Sequence, residues 1–273
     1  MPLEDNYASP ASRVYISYDV DSPPEHPGPD WTRFVCVSDT HSRKYRVPPG
    51  DVLLHSGDLS SWGYLPHLES SLTWIESLPH PVKVIIAGNH DLCLDEQWAE
   101  GGHWANQAGE GIPLKEAETA RAKVRSEATR AVGIHYLEYQ STSITTKTGR
   151  TWEIYGSPAT PRYALGAFQY ESGTLEGEEI YSRIPITTEI LLTHTPPFGI
   201  CDVTRREKNA GCPALAAKLA SGDLSHLKLH VYGHIHEGHG VEVQPAIVTD
   251  LQRIHVNAAV PDNLQATIVD LLN

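Results

Sequence analysis

The sequence predicts an α/β fold in which helices flank two sheets within one domain. In the first half, short apolar runs rich in β-branched residues alternate with a segment of helical periodicity, a pattern typical of a mainly parallel, buried sheet. In the second half, strand-length segments are separated by turn residues, including a hairpin turn at 148–150. With 273 residues, of which 40% are hydrophobic, the chain is long enough to bury one large core.

The first 30 residues are polar and rich in proline, so we expect residues 1–30 to form an extended arm ahead of a single domain at 31–273. A short apolar run at 14–18 predicts an edge strand within this arm. The domain itself opens with strands on either side of a helix, whose apolar residues between Leu65 and Ile75 are spaced by 3, 4 and 3 residues. The strands of this part are predicted at 34–38, 51–56 and 82–87.

The remaining elements are predicted from composition and from turn residues. We expect a helix near 94–100 and then a loop to residue 112. The run at 114–132 predicts one continuous helix, because it is rich in Ala, Glu and Arg and contains no breaker. Residues 162–188 are weakly patterned and predict no element. Further strands are predicted at 134–139, 143–148, 151–155, 190–193, 229–232, 241–244, 254–257 and 266–271, with a helix at 213–220.

The formal charge of −13 argues against long nucleic acid as a partner, since neutralising phosphates requires Lys and Arg. A small phosphate substrate is compatible with this charge, because bound cations would supply positive charge locally. No apolar run of about 18 residues and no basic or apolar leader is found, so we expect no membrane contact and a cytoplasmic protein. The four cysteines show no paired spacing, which favours reduced thiols, with a Cys201–Cys212 bridge as the alternative.

Five apolar runs end in residues that a buried strand does not need for packing. One of them, at 84–87, leads directly into a glycine, an amide, an imidazole and a carboxylate at 88–91. The polar residues after the five runs that carry metal-ligand chemistry are Asp39, His41, Asp58, Asn89, His194, His234 and His236. These runs therefore predict a metal site at a sheet edge.

The chemistry of these ligands indicates two metal ions. Carboxylate, imidazole and carboxamide groups suit manganese or iron best, with zinc, magnesium and nickel as alternatives. Asp39 and His41 are two residues apart, as are His234 and His236, so each pair presents its two groups on the same side of an extended segment. Seven ligands exceed what one ion usually takes, and a carboxylate such as Asp58 is the natural bridge between two.

In order and type, these motifs resemble the five sequence blocks of the calcineurin-like metallophosphoesterases. The resemblance spans residues 33–258, and the local sequence at 34–43, 53–58, 86–90, 155–158, 193–197 and 234–238 is closest to the metallophosphoesterase-domain-containing, class III cyclic-nucleotide-phosphodiesterase-like subgroup. The resemblance implies a four-layer αββα sandwich of two mixed sheets flanked by helices, with a dinuclear metal site at the carboxyl ends of the strands.

The resemblance also implies a role for each motif residue. One ion would be held by Asp39, His41 and His236, the other by Asn89, His194 and His234, with Asp58 between them. His90 would lie outside the metal ligands as the catalytic acid that protonates the leaving group, and Asp91 would orient it.

The expected activity is metal-dependent hydrolysis of a small phosphodiester resembling a cyclic nucleotide, by attack of a hydroxide that bridges the two ions. Three alternatives stay open: a phosphomonoesterase, a hydrolase acting on a small molecule without phosphate, and a protein-binding scaffold without catalysis. The intact set of ligands together with His90 argues against the scaffold.

Substrate contacts are the least constrained part of the prediction. Arg43, Phe198 and His239 are candidates because they lie near the motifs in sequence. The aromatic residues Trp98 and Trp104 are further candidates for the pocket, with core packing as the alternative for each. The sequence does not indicate an oligomeric state.

Overall fold

The apolar runs predicted as strands form two sheets that pack face to face in a computed structural model, which describes residues 6–99, 111–245, 252–260 and 265–273. In chain order, the strands of the described residues are β1 (Tyr7–Ala8), β2 (Ser12–Tyr15), β3 (Trp31–Val37), β4 (Val52–Ser56), β5 (Val82–Ile86), β6 (Ile134–Leu137), β7 (Gln140–Thr145), β8 (Thr151–Ser157), β9 (Thr160–Pro161), β10 (Gln169–Tyr170), β11 (Ile190–Thr193), β12 (Leu229–Tyr232), β13 (Gly240–Pro245), β14 (Gln252–Asn257) and β15 (Thr267–Leu272).

The helices lie mainly outside these sheets. They are α1 (Leu65–Ser77), α2 (Glu96–Ala99), α3 (Leu114–Val124), α4 (Glu127–Ala131), α5 (Leu175–Ser182) and α6 (Pro213–Ala220), with short 3₁₀ turns at Leu92–Leu94 and His236–Gly238. None of the helices in the described ranges is both long and apolar enough to cross a bilayer.

Both large sheets have a run of parallel strands, joined by antiparallel strands at one edge of the first sheet and at both edges of the second. The first has the order β1-β2-β15-β3-β4-β5-β6, in which β3 to β6 are parallel. The second has the order β13-β14-β12-β11-β8-β7, in which β14, β12, β11 and β8 are parallel. The sheets are therefore mixed, and the ligand-bearing strands all belong to the parallel centres.

Three apolar clusters define four layers. The first lies between the sheets, where Phe34 and Leu54 of one sheet meet Ile190 and Val231 of the other. The second covers the outer face of the first sheet with α1 and α3, and the third covers the outer face of the second sheet with α5 and α6. The αββα sandwich is confirmed. Its four layers form because the central strands are apolar on both faces, so each sheet is covered by the other sheet on one side and by helices on the other.

The structure differs from the sequence prediction in two helical regions. The continuous helix at 114–132 is wrong, because the chain breaks after Val124 and restarts at Glu127. Ser126 is extended there, and its hydroxyl accepts a hydrogen bond from the Thr129 amide, so it acts as an N-cap. The weakly patterned stretch 162–188 contains α5, a short helix that buries only Gly177, Ile180 and Tyr181.

The segment predicted as an arm contributes to the first sheet through β1 and β2, and β2 pairs with the carboxyl-terminal strand β15. The predicted helix near 94–100 is present as a 3₁₀ turn followed by α2, and its last predicted residue, Glu100, lies outside the described residues. All four cysteines are buried free thiols, so Cys201 and Cys212 form no bridge.

Candidate metal centre

The parallel centre of each sheet delivers the predicted ligands to one edge of the sandwich. In the first sheet, Asp39 follows β3, Asp58 follows β4, and Asn89 follows β5. In the second sheet, His194 follows β11, and His234 follows β12. Because parallel strands end at the same edge, residues far apart in the chain converge there.

One group of ligand atoms comes from Asp39, His41 and His236, which all lie within 4.8 Å of one another. The Nε2 atom of His236 is 3.2 Å from Oδ1 of Asp39 and 3.4 Å from Nε2 of His41. This is the set that the family resemblance assigns to one ion.

A second group combines Asp39, Asp58 and His194, again within 4.8 Å. The Nε2 atom of His194 lies 3.4 Å from Oδ1 of Asp58 and 2.9 Å from Oδ1 of Asn89. The ring centroids of His194 and His234 are 5.0 Å apart. Asp58 also belongs to a third group with His41 and His90, so its carboxylate lies between the two halves of the cluster.

The backbone at four of these residues is left-handed. The φ angles are 57° at Asp39, 47° at His41, 53° at Asp58 and 68° at His234. Each such conformation costs about 1–3 kcal/mol in a residue other than glycine. These strained residues all lie in one cluster, which indicates that the strain serves to orient their side chains at some cost in stability.

Two glycines leave the space that the carboxylates occupy. A β-carbon at Gly233 would overlap the Asp39 carboxylate and the Ser38 side chain, and one at Gly88 would overlap Asp58. Neither glycine has a positive φ, whereas Gly57 does, at 97°. The reason for glycine before these ligands is therefore close approach at Gly88 and Gly233, and a tight turn at Gly57.

Hydrogen bonds to the backbone orient the ring of His194. Its Nδ1–H donates to the Ser56 carbonyl at 2.9 Å, which leaves Nε2 with a lone pair directed at Asp58 and Asn89. A histidine held in this way through its far nitrogen is the usual arrangement for a metal ligand. The Asp39 carboxylate is held similarly, because it accepts the His234 amide at 2.9 Å.

Burial keeps two of the histidines neutral. It lowers the pKa of His41 to about 4 and the pKa of His234 to about 3, so both rings offer lone pairs at pH 7. The hydrogen bond to Asp39 instead raises the pKa of His236. Neutral imidazoles and ionised carboxylates are the forms that bind metals.

The two carboxyl groups at the centre are shifted in opposite directions. Burial opposes ionisation of Asp39, but its hydrogen bond with His236 and the surrounding histidines hold its pKa below the usual range. Burial and the nearby Asp39 charge raise the pKa of Asp58 well above the usual range. Cations between these groups would stabilise both carboxylates in the ionised form. The converging oxygen and imidazole donors therefore fit a pair of metal ions.

His90 lies beside this cluster but has a different partner from the one expected. Its Nδ1–H donates to the Ser61 carbonyl at 2.7 Å, and its ring centroid is 4.8 Å from that of His41. The Asp91 carboxylate instead accepts hydrogen bonds from the amides of Leu59, Ser60 and Gly88 and from the Ser60 hydroxyl. The expectation that Asp91 orients the His90 ring directly is wrong, because this buried carboxylate fastens the two ligand loops to each other.

A cavity of about 380 Å³ adjoins the cluster at His234. Phe198, one of the predicted substrate contacts, lines it and is half exposed, and Tyr163 from the loop after β9 lines it as well. Asn209 and Glu237 add polar groups to its wall. The cavity joins an aromatic surface to the candidate metal centre.

The other predicted contacts lie elsewhere. Arg43 is exposed, and His239 is half-buried with its Nδ1–H donating to the Ala259 carbonyl at 2.6 Å. Neither is among the residues that line the cavity beside His234. Trp98 is buried in the core, which agrees with the alternative that it packs there and does not line a pocket. Trp104 lies outside the described residues.

Sequence reasoning missed two residues next to His90. Ser61 supplies the carbonyl that orients the His90 ring, and Trp62 places its ring centroid 5.5 Å from that of His90. A backbone carbonyl has no sequence signature, but an apolar tryptophan directly after the polar Ser60-Ser61 pair and close to the Gly57-Asp58 motif was a usable signal.

Comparison with known proteins agrees with this geometry. The family model of the calcineurin-like phosphoesterases matches residues 32–238. Metallophosphoesterase domain-containing protein 1 of Homo sapiens is 33% identical over 235 residues, which cover 85% of this chain and 67% of that protein. A UPF0046 protein of Caenorhabditis elegans is 29% identical over 242 residues, covering 85% of this chain and 76% of that protein.

A further relative has a name from another class of enzyme. The probable rhamnogalacturonate lyase C of Emericella nidulans is 37% identical over 212 residues, which cover 77% of this chain. The chain spans only 18% of that protein's length, so most of the protein so named has no counterpart in the match.

Solved structures support the fold. A structure of TT1561 from Thermus thermophilus has a TM-score of 0.50 at 11% identity, covering 83% of this chain and 88% of that chain. Another has a TM-score of 0.53 at 15% identity, covering 83% and 90%. Together with the extent of the family match and the human relative, the converging ligands lead to one conclusion: the chain belongs to the calcineurin-like phosphoesterase family, whose members are metal-dependent hydrolases.

Proposed function

We propose that this protein is a metal-dependent phosphodiesterase that hydrolyses small diesters resembling cyclic nucleotides. The observation that carries the proposal is the position of His90, whose far nitrogen donates to Ser61 and whose ring lies against the clustered ligands. A carbonyl can only accept, so Nδ1 keeps its hydrogen and Nε2 is the nitrogen that exchanges protons with a substrate.

In this proposal Asp39, His41 and His236 hold one ion, Asn89, His194 and His234 hold the other, and Asp58 is shared. Two ions, when bound, supply a hydroxide nucleophile at neutral pH and offset the negative charge of the phosphoryl oxygens. His90 donates the proton from Nε2 to the leaving oxygen, while Ser61 keeps the ring in place. General acid catalysis of this kind contributes about 10²–10⁴-fold to a rate.

A diester is favoured over a monoester by space and by charge. The cavity of about 380 Å³ beside His234 gives room for an organic group of sugar or base size, with Phe198 and Tyr163 as its aromatic surface. A diester carries one negative charge, whereas a monoester carries up to two, and the chain has a formal charge of −13. The more weakly charged substrate meets less repulsion in such a protein.

The test pairs metal analysis with turnover of bis(p-nitrophenyl) phosphate, 2′,3′- and 3′,5′-cyclic nucleotides, and p-nitrophenyl phosphate as the monoester. We expect the metal-loaded protein to prefer the diesters. His90→Ala should keep two ions per chain and lose about 10²–10⁴-fold in kcat on the cyclic nucleotides, whose basic leaving oxygen needs the proton. Asp58→Ala should lose bound metal as well as activity.

The matched control is His226→Ala, which alters an exposed histidine near the amino end of β12, at the opposite edge from the ligands. It should keep both metal and turnover. Two ions still bound in Asp58→Ala would refute the bridging role, and a clear preference for the monoester would refute the diesterase.

A further inference from the structure

Trp62 is far more exposed than a tryptophan needs to be. Its side chain is 62% exposed, whereas Trp74, Trp98 and Trp152 are buried and Trp31 is half-buried. A single exposed apolar side chain is common on protein surfaces, so the exposure of Trp62 gains meaning only from where the ring lies.

The exposed ring lies at the candidate active site. The ring centroid of Trp62 is 5.5 Å from that of His90, which is itself 4.8 Å from that of His41. The cavity on the His234 side has a different lining, so Trp62 and that cavity belong to different parts of the site. Trp62 therefore lies on the His90 side of the candidate site, away from that cavity.

The loop that carries Trp62 is fastened on both sides. The Ser61 hydroxyl donates to the His41 carbonyl at 2.6 Å, and the Ser61 amide donates to the Ser42 hydroxyl at 3.2 Å. After Trp62, the Gly63 amide donates to the Ser60 hydroxyl at 3.0 Å, and Gly63 packs closely against Leu92. A ring presented by a fixed loop loses little conformational entropy when a ligand stacks on it.

We infer that Trp62 binds a flat aromatic or heteroaromatic group on the leaving side of the substrate, and so determines specificity for the leaving group. The inference rests on the proposed function, because it takes the leaving side to be the side of His90. A nucleobase is one flat heteroaromatic group of this kind. Base stacking on an aromatic side chain contributes to affinity without reading the base sequence.

The first experiment compares two diesters that differ only in the leaving group, p-nitrophenyl methyl phosphate and trifluoroethyl methyl phosphate, in wild type and variants. Trp62→Leu should raise KM for the aryl ester roughly tenfold with a small change in kcat, and should alter the trifluoroethyl ester by less than about twofold. Trp62→Phe, which keeps a flat ring, should have a KM for the aryl ester close to that of wild type. For each ester, the kinetic constants of a variant are divided by those of wild type, which removes the difference in intrinsic reactivity between the two esters.

Trp31→Leu is the matched control, since Trp31 is a partly exposed tryptophan at the amino end of β3, the opposite end from Asp39. It should leave both esters unchanged. An equal loss on both esters in Trp62→Leu, or no loss on the aryl ester, would overturn the inference.

A second measurement does not depend on turnover. The non-hydrolysable 4-nitrobenzylphosphonate should quench the tryptophan fluorescence of the manganese-loaded protein in a saturable way. Most of that quenching should disappear in Trp62→Leu and persist in Trp31→Leu. If neither ester is hydrolysed while the quenching depends on Trp62, the phosphodiesterase proposal fails and the stacking surface stands. Quenching that is unchanged in Trp62→Leu would refute the stacking surface itself.

Discussion

At the residue scale, the candidate centre depends on residues that carry no chemistry of their own. Gly233 and Gly88 leave room for the Asp39 and Asp58 carboxylates, and the Asp91 carboxylate ties the loop after β4 to the loop after β5. These residues set the distances between ligands, and the ligands alone would not reproduce them.

Gly233→Ala should therefore impair metal binding although it removes no ligand. The added β-carbon would overlap the Asp39 carboxylate and the Ser38 side chain, so Asp39 must leave the position that it holds beside His236. We expect metal analysis to show loss of at least one ion per chain, with a native-like circular dichroism spectrum.

Gly149→Ala serves as the control for this substitution, because nothing lies within 4 Å of its added β-carbon. Its positive φ of 86° makes it destabilising by about 1 kcal/mol, but it should keep both ions. Full metal occupancy in Gly233→Ala would show that the centre adapts to the extra atom.

Residue-scale features divide clearly by whether the sequence indicates them. The ligand types and their order could be read directly, because each follows an apolar strand within a few residues. The partner of His90 could not, since it is a backbone carbonyl 29 positions away, and the partners of Asp91 lie up to 32 positions away.

At the element scale, the second sheet contains a buried pair of histidines on neighbouring strands. His230 of β12 is in register with His255 of β14, and their Nδ1 atoms are 3.3 Å apart. The Thr193 hydroxyl lies 2.8 Å from Nε2 of His230. Burial lowers the pKa of His255 to about 3, and burial with the neighbouring His255 lowers that of His230.

This pair should make the protein less stable in mild acid. Unfolded histidine titrates near 6.5, so between that pH and about 3 the unfolded chain binds more protons than the folded one. Stability therefore falls as the pH drops below about 6.5, by roughly 1.4 kcal/mol per pH unit for each such histidine.

Urea unfolding of the metal-free protein from pH 7 to pH 4.5 measures this slope. His255→Leu should reduce the slope by the contribution of one proton, roughly 1.4 kcal/mol per pH unit. His226→Leu, at an exposed position, controls for the substitution itself. An unchanged slope in His255→Leu would show that the ring is protonated in the folded state.

Elements were predicted best where the strand is apolar on both faces. The central strands β3, β4, β5, β11 and β12 lie where the sequence predicts them, because both faces of each are buried. Helix α5 and the break between α3 and α4 were missed, since they depend on a short buried face and on one capping serine.

At the scale of the whole molecule, the two ends of the chain are joined inside the first sheet. Arg33 of β3 makes two hydrogen bonds with the Asp270 carboxylate of β15, at 2.7 and 2.8 Å, and both side chains are buried. The same guanidinium donates to the carbonyls of Pro24 and Glu25, at 2.6 and 2.9 Å. One arginine thus connects the amino-terminal segment, the first central strand and the last strand.

Asp270→Ala should cost about 3–5 kcal/mol of stability, because it leaves a buried guanidinium without its carboxylate. The double substitution Arg33→Met with Asp270→Leu should be closer to wild type, since it removes both charges and refills the space. Urea unfolding of wild type, Asp270→Ala and the double variant tests this. A free energy of unfolding for Asp270→Ala within about 1 kcal/mol of wild type would contradict the prediction.

The sequence by itself determined where along the chain the buried strands lie and which residues stand at their carboxyl ends, because both follow from local composition and spacing. It also carried the family resemblance on which the αββα expectation was based. Only the tertiary structure decided that Asp91 joins two loops, that Ser61 holds His90, and that Trp62 stands exposed beside it. Those features arise from contacts between segments that are distant in the chain, and their geometry exists only once the two sheets have packed together.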